Sequence, residues 1–174
     1  MRIPAAAALL LVLASCASPR PAPPPPVVVP PRPVVTPPPP VGSDWRDWPL
    51  TPGSWSYAQD ARDSIARFGR AGFDAELTLR CERNLRQIQL ARRAEPGASA
   101  ATLTVRTSSL LRPLAAQPTG GTPSYVAVTL GANDALLDAM GFSRGRFVIE
   151  QAGRAPLVIP AWPEILRVTE DCRG

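Results

Sequence analysis

Residues Ala75–Arg92 read AELTLRCERNLRQIQLAR, and this stretch decides the fold. Leu77, Leu79 and Cys81 alternate with Thr78 and Arg80. A period of two puts the first three on one face of a strand and the other two on the opposite face. Glu82-Arg83-Asn84 reads as a turn, after which the device repeats with Ile88 and Leu90 pointing inward. Two alternating runs joined by a short polar break predict an antiparallel pair with one buried face.

The same period extends in both directions. GSWSY places Trp55 and Tyr57 on one face, and DSIARF reads as a strand because Gly69 and Gly72 close it off. ATLTVRT aligns Leu103 with Val105, and SYVAVTL, GRFVIEQ and the proline-bounded APLVIP add further strands. Two stretches break the pattern. NDALLDAMG reads as a short helix with Asn133 as its N-cap and Gly141 as its C-cap. WPEILRVTEDC opens with Pro163, whose missing N–H costs nothing in a first turn, and with Glu164 near the positive end of the helix dipole. Ile165, Val168 and Cys172 share one face of that helix. The fold class that follows is mainly β: a single antiparallel β-sandwich or barrel-like domain with one or two short helices, including a C-terminal one.

This domain covers residues 44–174, and two segments precede it. Arg2 and the apolar run IPAAAALLLVLAS form a targeting segment over residues 1–15, too short for a stable bilayer span of ~20 residues. The run ends in Leu13-Ala14-Ser15-Cys16, which resembles the lipobox of bacterial lipoproteins, where the cysteine is diacylated. That likeness implies lipidation at Cys16. Ala17 rather than Asp follows, which implies the outer membrane, periplasmic face, with the inner membrane as alternative. Ordinary secretion with a cut at ASCA is the competing reading. Residues 16–43 form a linker: thirteen of the twenty-two residues from Pro19 to Pro40 are proline. Polyproline II extends ~3.1 Å per residue, so this segment is expected to be a semi-rigid spacer of roughly 70 Å.

Cysteine count fits that compartment. Setting Cys16 aside leaves Cys81 and Cys172, most simply one disulfide in an oxidising periplasm, with two buried free thiols as the alternative. A bridge would staple the closing helix to the sheet. Two cysteines and no histidine make a poor metal set, so neither metal nor cofactor is expected. The basic charge is diffuse. All nineteen basic residues are arginine, and residues 44–174 hold sixteen of them against fourteen acids, a formal +2. No basic stripe interleaved with stacking aromatics is present, so nucleic acid is not an expected partner.

Catalytic motifs are weak. GFSRG, Gly141–Gly145, has the spacing of a nucleophile elbow, yet the helix precedes and the strand follows, the reverse of that device. The chain has no histidine to serve as base and no lysine for a Ser-Lys pair. Asp134 with Asp138, and Asp60 with Asp63, read as surface carboxylates rather than an acid–base pair. Arg144 and Arg146 at a turn offer two guanidiniums for a carboxylate or phosphate, against the reading of a solvated turn with Arg146 paired across the sheet. Trp45 and Trp48 offer an aromatic patch for a partner, against the reading that they lie over the sheet edge where the linker joins, with Trp55 in the core.

The order from Trp55 to Cys172 resembles the invasion-associated locus B family of small periplasmic β-domains. The elements that carry the likeness are a strand ending LTLRC, the helix ALLDAM, the strand RFVIEQ, the short LVIP and the closing WPEILRVTEDC. SRGRF and PEILRV with a following EDC also resemble segments of uncharacterised alphaproteobacterial lipoproteins. The resemblance implies a β-sandwich-like domain in the cell envelope without enzymatic activity. Together with the lipobox and the linker, the expected function is a lipid-anchored, non-catalytic envelope module that binds a partner, an envelope protein. GSWSY followed by a strand cysteine is loosely similar to periplasmic inhibitors of proteases or lysozyme, and this is the alternative function.

Overall fold

The structure is a computed structural model that describes residues 44–174; the targeting segment, Cys16 and the linker of residues 16–43 lie outside the described residues. Nine strands follow in the order β1 (Ser54–Gln59), β2 (Asp63–Gly69), β3 (Leu77–Glu82), β4 (Gln87–Arg93), β5 (Ala101–Arg106), β6 (Leu111–Pro118), β7 (Tyr125–Gly131), β8 (Arg146–Gln151) and β9 (Leu157–Pro160). Helix α1 (Ala135–Gly141) separates β7 from β8, and α2 (Pro163–Arg173) closes the chain. The strands form one antiparallel sheet, β1-β2-β3-β4-β7-β6-β5-β8-β9. The choice between sandwich and barrel resolves to a single open sheet.

The opening stretch behaves as its period requires. Leu77, Leu79, Cys81, Ile88 and Leu90 are buried, Arg80 is exposed, and Leu79 lies opposite Leu90. Inward residues of the later strands, among them Leu103, Val105, Phe147, Ile149 and Ile159, join the same apolar cluster. Leu136, Leu137 and Met140 of α1 and Ile165, Val168 and Cys172 of α2 cap it. Cys81 and Cys172 are bonded, with Cα atoms 5.5 Å apart, so α2 is stapled to β3.

The hydrogen-bond ladder leaves β1 and β9 as edges, yet side chains draw them together. The Trp55 indole on β1 donates to the Pro160 carbonyl on β9 at 2.9 Å. Just before β1, Thr51 donates its N–H to Val158 O and accepts from Val158 N, both at 2.9 Å.

Three local expectations need correction. β6 was not anticipated, because Pro113 and Pro118 in LRPLAAQP argue against a central strand. Its pairing explains the tolerance: β6 meets β7 only at Gln117 and Pro118, so Pro113 lies where the β7 side of the strand is open. The N-cap of α1 is Asp134, whose carboxylate accepts from Leu136 N at 2.8 Å, not Asn133. Gly141 is the last helical residue and not an αL cap. A Cβ there would stand 2.3 Å from Leu166 Cδ2, so a larger residue would force the Leu166 side chain to move where α1 meets α2.

Candidate functional site

The turn Phe142–Gly145 leads from α1 into β8 and is fixed by its own serine. Ser143 is buried; its hydroxyl accepts from Ser108 N at 3.0 Å and donates, over a short contact, to Arg146 O. Ser108 returns the contact by accepting from Arg144 N at 3.2 Å. Gly145 has φ +78°, the left-handed conformation that turns the chain into the strand. Ser143 therefore ties the α1–β8 turn to the β5–β6 turn, with its donor and an acceptor position both engaged.

Of the four residues proposed for partner contact, the fold gathers three. Trp45 lies in a short 3₁₀ turn, Trp45–Asp47, and is buried against Val148 and Val158 on the outer face of β8 and β9. Trp48 is half-buried beside it, and its carbonyl accepts from the Arg146 guanidinium. The Arg46 guanidinium sits 4.9 Å from the Trp45 ring centroid. This group is a lid over the strands where the chain enters the domain, and Arg146 is spent on closing it. Arg144 stands apart, exposed and with no carboxylate within ion-pair distance among the described residues. Its neighbour Phe142 is 71 % exposed. Trp162, 45 % exposed, follows Ala161, whose N–H reaches Gly145 O at 3.3 Å. Arg144 thus lies in a region with two solvent-facing aromatic rings. Sequence pattern gave no sign of either ring, since an aromatic residue beside a helix end reads equally well as core.

The carboxylates are engaged by arginines and backbone N–H groups. Asp134 takes two bonds from Arg112, at 2.8 and 2.7 Å, and this pairing lowers its pKa. Asp138 is bound by Arg173 at 2.9 and 3.0 Å rather than solvated alone. Backbone N–H groups of Asp63 and Arg62, each at 2.8 Å, lower the pKa of Asp60. Asp63 contacts Arg80. For Asp134 and Asp60, a general-acid role would need the opposite shift.

Two polar features escaped the sequence reading. Arg92 occupies an inward position of β4 at 2 % exposure, and its guanidinium crosses to Ile149 O at 2.8 Å and Ala155 O at 2.5 Å. Burial, with the nearby Arg154 charge, pushes its pKa down to about 10. Near the disulfide, Tyr57 donates its hydroxyl to Asp171 at 2.5 Å, while Arg167 covers the ring at 4.3 Å. Burial first, then Asp171, raises the Tyr57 pKa. Among the described residues no group of three or more His, Cys, Asp or Glu is placed to hold a metal ion. Set against family models, curated proteins and solved structures, the chain matches none.

Proposed function

We propose that the protein is a cell-envelope lipoprotein whose acylated Cys16 anchors a non-catalytic β-domain that binds an envelope protein from the periplasmic side of the outer membrane. The observation that carries this reading is the division of its three cysteines. Cys81 and Cys172 pair inside the domain, and Cys16 stands alone after an apolar run in Leu13-Ala14-Ser15-Cys16. A disulfide fits an oxidising compartment. Two or three acyl chains give stable attachment, because each buried methylene adds ~0.8 kcal/mol. A binding role is supported by Arg144 and Phe142, which face solvent on a turn anchored by Ser143, and by Trp162, exposed just before α2.

Crosslinking in intact cells followed by mass spectrometry tests the reading. The wild-type chain is expected to enrich one envelope protein. Cys16→Ser, which frees the domain from the membrane, and Arg144→Glu, which reverses the exposed charge, are each expected to reduce that yield. A partner recovered equally from all three chains would contradict the reading. Inhibition of lysozyme or a periplasmic protease by the purified chain would favour the inhibitor alternative instead.

A further inference from the structure

A second surface, on the far side of β1, has its own chemistry. Ser54, Ser56, Arg67, Gly69, Arg70 and Phe73 line a groove of about 340 Å³ along the edge of the sheet. Backbone packs closely around Gly69, which lines it: a Cβ on Gly53 would lie 2.9 Å from the Gly69 carbonyl carbon, and one on Gly69 would lie 3.1 Å from Ala75 Cα. Phe73 is 73 % exposed at the rim.

Charge sets this groove apart. Eight arginines of the domain have a carboxylate within 4.0 Å. Arg92 and Arg146 are held by backbone carbonyls, and Arg167 lies on Tyr57. Arg67 and Arg70, like Arg62, Arg86 and Arg144, have no carboxylate within that distance, but these two share one groove, and it contains no acid. Arg67 also borders the adjoining hollow with Asp60 and Asp63, but those carboxylates are taken by backbone N–H groups and by Arg80. The other described hollows carry acids of their own: Asp74, Glu76 and Glu95 in one, Glu95 in another. Two uncompensated guanidiniums attract an anion, preferably a planar carboxylate that each can grip in a fork. The exposed ring beside them suits an apolar side chain. The edge position suits an extended backbone, and SWSYAQ carries none of the charge or proline that protects edges from pairing.

We propose that this groove binds an extended peptide segment of a partner protein, with a carboxylate held by Arg67 and Arg70 and an adjacent apolar side chain packed on Phe73. The groove stands on the fold alone; that an envelope protein supplies the peptide rests on the anchoring reading above.

Fluorescence anisotropy tests it, using the full chain in mild detergent at low ionic strength and a labelled hexapeptide of alternating leucine and glutamate. The peptide is expected to bind, and Arg67→Gln with Arg70→Gln to weaken it about tenfold or more, the size of one lost charge-assisted pair. Replacing the glutamates with glutamine should do the same, Phe73→Ala should weaken binding less, and Arg67→Lys with Arg70→Lys should restore part of it. Both arginines project from the surface, so the variants are expected to keep the wild-type melting temperature. No binding at millimolar peptide overturns the proposal, as does equal binding of the glutamate and glutamine peptides. Inorganic phosphate that displaces the peptide at equal concentration would mark a simple anion site and also overturn it. Binding in solution does not depend on Cys16, so failure here leaves the anchor untouched, and failure of acylation leaves the groove.

Discussion

The two halves of the sheet are fastened by different means. β1, β2, β3 and β4 lie under α2 with β7 beside β4, and a covalent bond between Cys81 and Cys172 holds the helix to this half. β6, β5, β8 and β9 carry no such bond. They join the first half through two residue pairs between β6 and β7, through the Arg92 guanidinium on Ile149 O and Ala155 O, and through Trp55 on Pro160 O. A lid of Trp45 and Trp48, latched by Arg146, covers their outer face. The difference teaches how an open sheet encloses one core: long polar side chains bridge what the ladder leaves unpaired.

Breaking the covalent fastener should have the largest effect. Cys81→Ser with Cys172→Ser removes a link across 91 residues of sequence and should cost about 4 kcal/mol, since loop-closure entropy grows with separation. Urea unfolding with and without reductant measures it, and wild-type protein should fall to the level of the double variant only when reduced. Next comes the bridge between the halves. Arg92→Ala deletes two hydrogen bonds and a buried side chain, with an expected loss of about 3 kcal/mol. Hydrogen exchange should show β8 and β9 losing protection before β3 and β4; equal loss in both halves would blur the comparison.

A smaller effect is expected where the helices meet. Gly141→Ala drives a methyl into Leu166, and overpacking of that kind costs about 2 kcal/mol, read from the melting temperature. The smallest concerns β6 and α1, joined by Arg112 and Asp134. Asp134→Asn keeps a cap oxygen but loses the charge, at about 1 kcal/mol near neutral pH. The Asp134 pKa is lowered in the folded state, so its contribution is present above the unfolded value of about 3.9 and is lost as pH falls toward the folded value. The stability gap between wild type and variant should be constant from neutral pH down to about pH 5 and shrink below it. A gap that widened in acid would contradict the pairing.

The fold was legible wherever period and burial agreed. Leu77, Leu79 and Cys81 announced a one-sided strand, and Ile165, Val168 and Cys172 announced the helix face that meets it. The Cys81–Cys172 bond followed from counting thiols. What stayed hidden depends on partners remote in sequence. Arg92 sits in an inward position because carbonyls more than fifty residues away receive its protons, and no local pattern shows that. Pro113 masked β6 because the open side of a strand is a property of the sheet, not of the segment. At the candidate site, Arg144 and Arg146 looked equivalent in SRGRF, yet one faces solvent and the other latches Trp48. Trp45 read either as open to a partner or as lying over the sheet edge, and its burial on Val148 and Val158 of β8 and β9 agrees with the second, because that outer sheet face is itself apolar.

Labelling with radioactive palmitate in growing cells tests the central claim most directly. Wild-type chain should incorporate label and sediment with the outer membrane, while Cys16→Ala should lose the label and appear in the soluble periplasmic fraction with its disulfide intact. Unlabelled wild-type chain, or a Cys16→Ala chain that stays labelled and membrane-bound, would contradict the account.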